Sequence, residues 1–486
     1  MALLMDEAAW RGKVYRGTWE PGGAGAYEVT EKATGALLGQ VGRAAPADVA
    51  AAGHAAREVQ AAWTAMPFEE RAAVFRRAAV LLDQHRAEIA GWIVRESGAV
   101  RTKAEAEIRS SLNCLHFAAS MHGEPQGLVF PSNSGRLSYG RRVPHGVVAV
   151  ITPFNFPLIL AMRSVAPALA AGNAVILKPD PQTAVCGGVA LARLFEEAGL
   201  PRGLLQVLPG DAEVGEAVCT DPAIGMVSFT GSTAAGRKVG ALCGAHLKKV
   251  SLELGGKNPL IILEDADLDL AASNAAFGAW MHQGQICMAT GRILAHEKIA
   301  AELAERLAAK AERIRVGNPT EDQVGLGPIV NQRQLGHVDG IVQDTIGAGA
   351  VLHAGGTQDG LYYRPTVLSG VKPGMPAFEQ EVFGPVAAIT AFATDDEAVR
   401  LANQTEYGLS AAVISRSVSR AMAIGNRLNT GLVHINDQTI HSDAYIPYGG
   451  RGASGNGGRV GGPANWEEFT QWQWVTVRDT PPSYPF

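Results

Sequence analysis

The sequence predicts an α/β fold built on a parallel sheet. Three observations carry that reading. Short β-branched runs alternate with helical segments between residues 147 and 243. The strand-like runs close on turns rich in glycine, proline or aspartate. The first third of the chain supplies long amphipathic helices able to cover a sheet. Alternation of this kind, with helices between strands, is how a chain builds a parallel sheet with both faces covered.

In chain order, residues 47 to 122 are rich in alanine, arginine and glutamate. Phe68-Glu69-Glu70-Arg71 opens a helix with apolar residues at Ala73, Val74, Ala78, Val80, Leu81 and Leu82. Its charges read as a solvated face, and this third is expected to carry no chemistry. Gly127–Pro131 and Arg136–Gly140 read as a short exposed hairpin. Val147–Ile151 is a strand, followed by helix over 158–171. Ala174–Leu177 is a second strand, closed by Lys178-Pro179-Asp180-Pro181, and 183–197 is helix. Leu204–Leu208 and Met226–Phe229 are two further strands. The latter is closed by the Gly231–Gly236 turn, and helix follows over 237–243. Leu260–Leu263 is another strand, and a helix over about 268–282 leads to Cys287. Residues 469–477 alternate at period two, with Trp472 and Trp474 on one face. That face suits a subunit contact or intramolecular core equally.

Composition narrows the function. The 486 residues carry a net charge of −5, are 47% hydrophobic and 18% charged. That is ordinary globular composition, long enough for two or three domains. No basic patch suggests nucleic acid or a membrane surface. The uncharged run from Val143 to Met162 is broken by Pro144, Pro153 and Pro157, and reads as buried strand and turn rather than a spanning helix. The N-terminus has acidic residues where a signal peptide needs basic ones. Five irregularly spaced cysteines form no disulfide framework, and no metal-ligand spacing is present. A cytoplasmic enzyme without a metal is expected.

In a doubly wound sheet, ligands bind beyond the carboxyl ends of the strands. Lys178, Gly210 and the Gly231–Gly236 turn all fall there. A strict Gly-x-Gly-x-x-Gly occurs at Gly450–Gly455, but it follows no clear strand and opens no helix, so it is set aside. Cys287 is the candidate nucleophile. Cys114, Cys186, Cys219 and Cys243, among apolar or small neighbours, are expected to be small buried hydrophobes. Glu253, between Leu252 and Leu254, is a candidate base, and Asn155 a candidate oxyanion donor.

Six motifs, in order, resemble the aldehyde dehydrogenase superfamily. They are Phe154-Asn155-Phe156-Pro157, Lys178-Pro179, Phe229–Thr233 with Gly236, Leu252–Lys257, Gly284–Cys287 and Glu381–Pro385. The segments Phe156–Ser164 and Lys178–Thr183 are more particularly similar to dehydrogenases of benzaldehyde, vanillin and salicylaldehyde. The resemblance implies a Rossmann-like nicotinamide-binding domain over 1–123 and 147–253. It implies an α/β catalytic domain over 254–465, and a bridging β element over 124–146 and 466–486 that joins dimers or tetramers.

The resemblance also implies site roles. Cys287, Glu253, Asn155 and Lys178 form the catalytic set. Cys287 attacks an aldehyde, Asn155 and the Cys287 N–H hold the oxyanion, and Glu253 activates water to release a free acid. Ile151, Thr152, Pro153, Asn155, Glu253 and Leu254 contact the dinucleotide. Lys178 binds the adenosine ribose. Gly210, Gly231, Ser232 and Gly236 follow the adenosine and pyrophosphate. Glu381 holds the nicotinamide ribose, and Phe383 packs beside the ring. NAD is the expected cofactor. A glutamate that many NAD-preferring members carry three positions after the lysine is Pro181 here, so NADP stays open, with Asp180 adjacent.

An aromatic aldehyde is the expected substrate. Trp280, Met288, His441 and Tyr445 flank the motifs as possible mouth residues, and Arg163 as a possible anchor for a ring substituent; core, surface or ion-pair roles suit each as well. An aliphatic aldehyde or semialdehyde is the alternative. A thiol esterase is the alternative from another class, and a retired scaffold a third.

Overall fold

A computed structural model describes residues 3–132, 135–321 and 323–486. Among the described residues, two seven-stranded sheets and one three-stranded sheet organise the fold, with three two-stranded ribbons beside them. In the first sheet the order is Lys249–Glu253, Met226–Thr230, Val147–Ile151, Ala174–Lys178, Leu205–Val207, Lys13–Tyr15 and Trp19–Pro21. The first five pair in parallel. Val147–Ile151 and Ala174–Lys178 are buried at every residue, which is why they read as unbroken apolar runs. The chain runs outward from Val147–Ile151 through the strands to Val207, then returns to its other side at Met226. That reversal opens a crevice between Ile151 and Thr230.

The second sheet has the order Val351–Ala354, Thr366–Ser369, Val386–Phe392, Thr290–His296, Asn258–Ile262, Ser410–Ile414 and Leu432–Ile435. It is parallel except at the Val351 edge. The third sheet pairs Thr470–Val477 with Leu137–Pro144, and Leu137–Pro144 with Gly127–Phe130, all antiparallel. Asn133 and Ser134, within the expected hairpin segment, lie outside the described residues.

Several expectations are refined. The helix expected over 183–197 is broken into a 3₁₀ turn, a π-turn at Val185–Val189 and an α-helix at Ala190–Glu197. The cause is close packing: a Cβ on Gly188 would sit 2.7 Å from Pro179, and one on Gly187 3.0 Å from Pro157. The helix expected to 282 ends at Trp280, because His282 and Gln283 take positive φ. Two strands in the first 21 residues, which no periodicity signalled, extend the first sheet. The long uncharged run is a buried strand followed by the buried helix Pro157–Ala170. No helix among the described residues is long and apolar enough to cross a membrane.

The first third does more than cover a sheet. Glu107, on the helix Arg101–Ser120, is fully buried and paired with Lys103. Its Oε1 accepts the N–H groups of Leu158 at 2.8 Å and Ile159 at 3.1 Å. These are free donors of the first turn of the helix that follows Asn155. A carboxylate there also complements the helix dipole.

Candidate active site

A cavity of about 630 Å³ opens at the crevice of the first sheet and runs to Cys287. Ile151, Thr152, Pro153 and Asn155 line it from the end of one strand; Gly231 and Ser232 line it from the next. Lys178 and Asp180 form the wall beyond the third strand. Leu254, Cys287, Glu381 and Phe383 close the far side. The helix Thr233–Ala245 begins there, capped by Ser232, and presents free N–H groups to the cavity.

Three expected residues stand behind this wall instead. A Cβ on Gly210 would lie 2.4 Å from Val214, so this glycine serves a tight strand-to-helix turn while Ala212 and Gly215 face the cavity. A Cβ on Gly236 would lie 2.3 Å from Leu254, so Gly236 lets the helix seat against the leucine that does line the cavity. Glu253 ends the edge strand, with its carboxylate under Gly449. The next residue, Leu254, lines the cavity in its place.

Cys287 follows the 3₁₀ turn that ends the preceding helix, and its carbonyl accepts from Asn258 Nδ2 at 2.9 Å. Its backbone N–H has no acceptor among the described residues, which leaves it free for a substrate oxygen. Asn155 is 2% exposed, and its Nδ2 donates to the Gln285 carbonyl at 2.9 Å, on the same loop. An amide nitrogen carries two hydrogens, so one remains to donate. Burial raises the Cys287 thiol to about 11, and the carboxylates of Glu381 and Glu253 add to that. The Tyr448 hydroxyl, 3.4 Å from Sγ, and Arg163 pull it back.

Glu253 is buried, and no side-chain donor reaches either carboxylate oxygen among the described residues; the Gly450 N–H is the backbone donor beside it. Burial pushes its pKa well above the usual carboxylate range, against Arg459 and Arg163. A carboxylate in such a setting is a proton acceptor suited to neutral pH. Burial likewise raises Glu381 to about 7, while the Gly256 N–H, 3.0 Å from Oε1, opposes it. Phe383 takes φ of 52° and packs edge-on against Phe154. A bulky residue at positive φ is strained and persists only where its surroundings hold it. Here Gln334 Nε2 grips its carbonyl at 3.1 Å. Burial lowers Lys178, with Asp180 and Asp211 acting in the opposite sense.

The mouth residues divide. Trp280 is 1% exposed and belongs to the core of the second sheet, and Met288 is buried against the first. His441 and Tyr445 are exposed, Tyr445 edge-on to Phe117. Arg163 is buried, donates to Ser442 Oγ at 3.1 Å and lies 4.7 Å over the Tyr448 ring. Tyr448 and Arg459 join the site without a signal of their own in the sequence, while Gln285 lies within the Gly284–Cys287 motif. Tyr448 stands in a glycine-rich segment that reads only as loop. The other four cysteines are buried, as expected. No cluster of three or more metal-binding side chains occurs among the described residues.

Residues 19–475 match the model of the aldehyde dehydrogenase family. The chain belongs to that family. It is 53% identical to a vanillin dehydrogenase of Amycolatopsis sp. over 99% of this chain and 100% of the relative. It is 51% identical to a benzaldehyde dehydrogenase [NAD(+)] of Pseudomonas putida, over 100% of both. Among solved structures, a salicylaldehyde dehydrogenase from Pseudomonas putida G7 complexed with salicylaldehyde superposes with a TM-score of 0.94. That pair is 33% identical and covers 98% of this chain and 99% of the other. For this family member, an α/β fold of two parallel-sheet units is shared with its solved relatives.

Proposed function

We propose that the protein oxidises an aromatic aldehyde to the free carboxylic acid, transferring hydride to NAD. The placement of Cys287 Sγ on the wall of a cavity that also presents Lys178 and Glu381 carries this reading. The vanillin, benzaldehyde and salicylaldehyde dehydrogenases above support the aromatic substrate.

The cavity fits a dinucleotide. Its volume suits a cofactor. Thr152 Oγ1 and Asn155 Oδ1 are buried there without partners. Lys178 would hold ribose hydroxyls, Gly231 and Ser232 the phosphates, and Glu381 the second ribose. When bound, the dinucleotide supplies the hydride acceptor. Asp180 sets a carboxylate beside Lys178 that would repel a 2′-phosphate, and this favours NAD.

Cys287 as thiolate attacks the aldehyde carbon. Asn155 Nδ2 and the Cys287 N–H receive the oxyanion of the thiohemiacetal. Loss of hydride leaves a thioester on Sγ. Glu253 takes a proton from water, which attacks the thioester and frees the acid and the thiol. Hydrolysis of activated esters by the same thiol would be a side activity.

The domain division proposed is a dinucleotide domain around the first sheet, a catalytic domain around the second and a bridging element in the third. Leu128 at 55% exposure and Trp474 at 71%, both in register with Gly140, leave one face of that third sheet apolar, suited to a second copy in a dimer or tetramer. Five free cysteines suit a reducing cytoplasm.

The test is absorbance of reduced nicotinamide with benzaldehyde, vanillin and hexanal, each with NAD and then NADP. Faster turnover of the aromatic pair with NAD is expected. Preference for hexanal would remove the aromatic reading, and ester hydrolysis without any oxidation would replace it with the esterase.

A further inference from the structure

Tyr448 is fully buried, and its backbone is pinned by reciprocal hydrogen bonds with Val460. Its hydroxyl lies 3.4 Å from Cys287 Sγ and has no other hydrogen-bond partner among the described residues. Behind its ring, Arg163 is held at 4.7 Å by the bond to Ser442. A phenol buried this deeply ordinarily finds a hydrogen-bond partner. This one meets the thiol.

We propose that Tyr448 is a further catalytic residue, whose hydroxyl donates to the Cys287 sulfur and stabilises its thiolate, with the Arg163 cation reinforcing it from behind the ring. The inference rests on Cys287 being the nucleophile. The physical reason is an asymmetry of donors. Against a thiol, either atom can donate; against a thiolate only the O–H can, and the bond becomes charge-assisted. A partner that binds the charged form better must favour it. No bond is made or broken between the two side chains: the thiol proton leaves to water in the cavity, and the phenol keeps its own.

The groups that face Cys287 are Glu253, Glu381, Arg163 and Tyr448. The carboxylates oppose ionisation, so the hydroxyl and the guanidinium are the groups that favour it. Tyr448 itself faces Glu253, Cys287 and Arg163. Burial and the first two of these hold its own pKa well above the usual value, so it remains a donor across the working range.

The experiment follows alkylation by iodoacetamide, read as mass gain on the Cys287 peptide, against pH in the cofactor-free protein. Y448F is expected to move the midpoint up by about one unit and to slow alkylation below it about tenfold. Its NAD affinity and its thermal midpoint should stay near wild type, which reports an intact site. An unchanged midpoint would overturn the proposal. So would a changed KM confined to phenolic aldehydes, which would assign the hydroxyl to substrate recognition. C287A separates the two levels of the argument. If it still oxidises aldehyde, the nucleophile assignment falls and Tyr448 with it. If it is inactive while Y448F titrates as wild type, only the Tyr448 role falls.

Discussion

The side-chain amide of Asn155 donates to the backbone carbonyl of Gln285 at 2.9 Å. One residue follows the strand Val147–Ile151 of the first sheet, and the other precedes Cys287 on the loop leading into the second. This hydrogen bond therefore ties the two halves of the site together and leaves a second amide hydrogen free for the proposed oxyanion. Asn155→Ala removes both. With loss of one oxyanion donor, kcat is expected to fall about 100- to 1000-fold. Steady-state kinetics with benzaldehyde checks this; a change confined to KM would leave Asn155 as a clasp alone.

Cys287→Ala should abolish aldehyde oxidation and ester hydrolysis together, since both need the same sulfur. Loss of one activity with the other intact, measured on the same preparation, would separate them onto different nucleophiles.

As the proposed base, Glu253 is expected to set the pH dependence of product release. Its pKa is raised by burial, so its base form grows as pH rises through that elevated value. Deacylation-limited turnover should climb over the same window. Glu253→Gln should keep the first burst of reduced nicotinamide, lose the climb and turn over at least about 100-fold more slowly. Stopped-flow absorbance distinguishes burst from steady state. An absent burst would mean that Glu253 acts on the thiol instead.

Gly236→Ala tests the cavity wall from behind. The added Cβ would lie 2.3 Å from Leu254 Cδ2, so Leu254 must move into the cavity. Overpacking of this kind costs about 1–3 kcal/mol. The KM for NAD is expected to rise roughly tenfold or more, with little change for the aldehyde.

Glu107→Ala tests the support of the Asn155 turn. It leaves the buried Lys103 ammonium and two helix N–H groups without their acceptor. Breaking one side of a buried pair costs about 3–5 kcal/mol. A lowered thermal midpoint, together with weakened turnover at permissive temperature, is expected. Unchanged turnover in the folded variant would confine Glu107 to stability.

Much of the fold was legible because local signals and burial agree. Val147–Ile151 and Ala174–Lys178 are β-branched and fully covered, so composition alone announces them. The weaker boundaries fall where tertiary packing overrides local preference. Gly187 and Gly188 loosen a helix to clear Pro157 and Pro179, and the positive φ of His282 and Gln283 ends another early. Trp280 beside the motif reads equally as mouth or core, and neighbours distant in sequence decide for core.

By itself the sequence determined an α/β protein, the nucleophile loop, the candidate base and oxyanion donor, and the family resemblance. Those rest on residue type and order, which the chain carries everywhere along its length. Tertiary structure alone decided which glycines face the cavity, that Glu253 stands behind its wall, and that Tyr448 meets Cys287. The last two depend on contacts between residues more than a hundred positions apart. They exist only once the strands have chosen their neighbours and the side chains between them have been driven out of water.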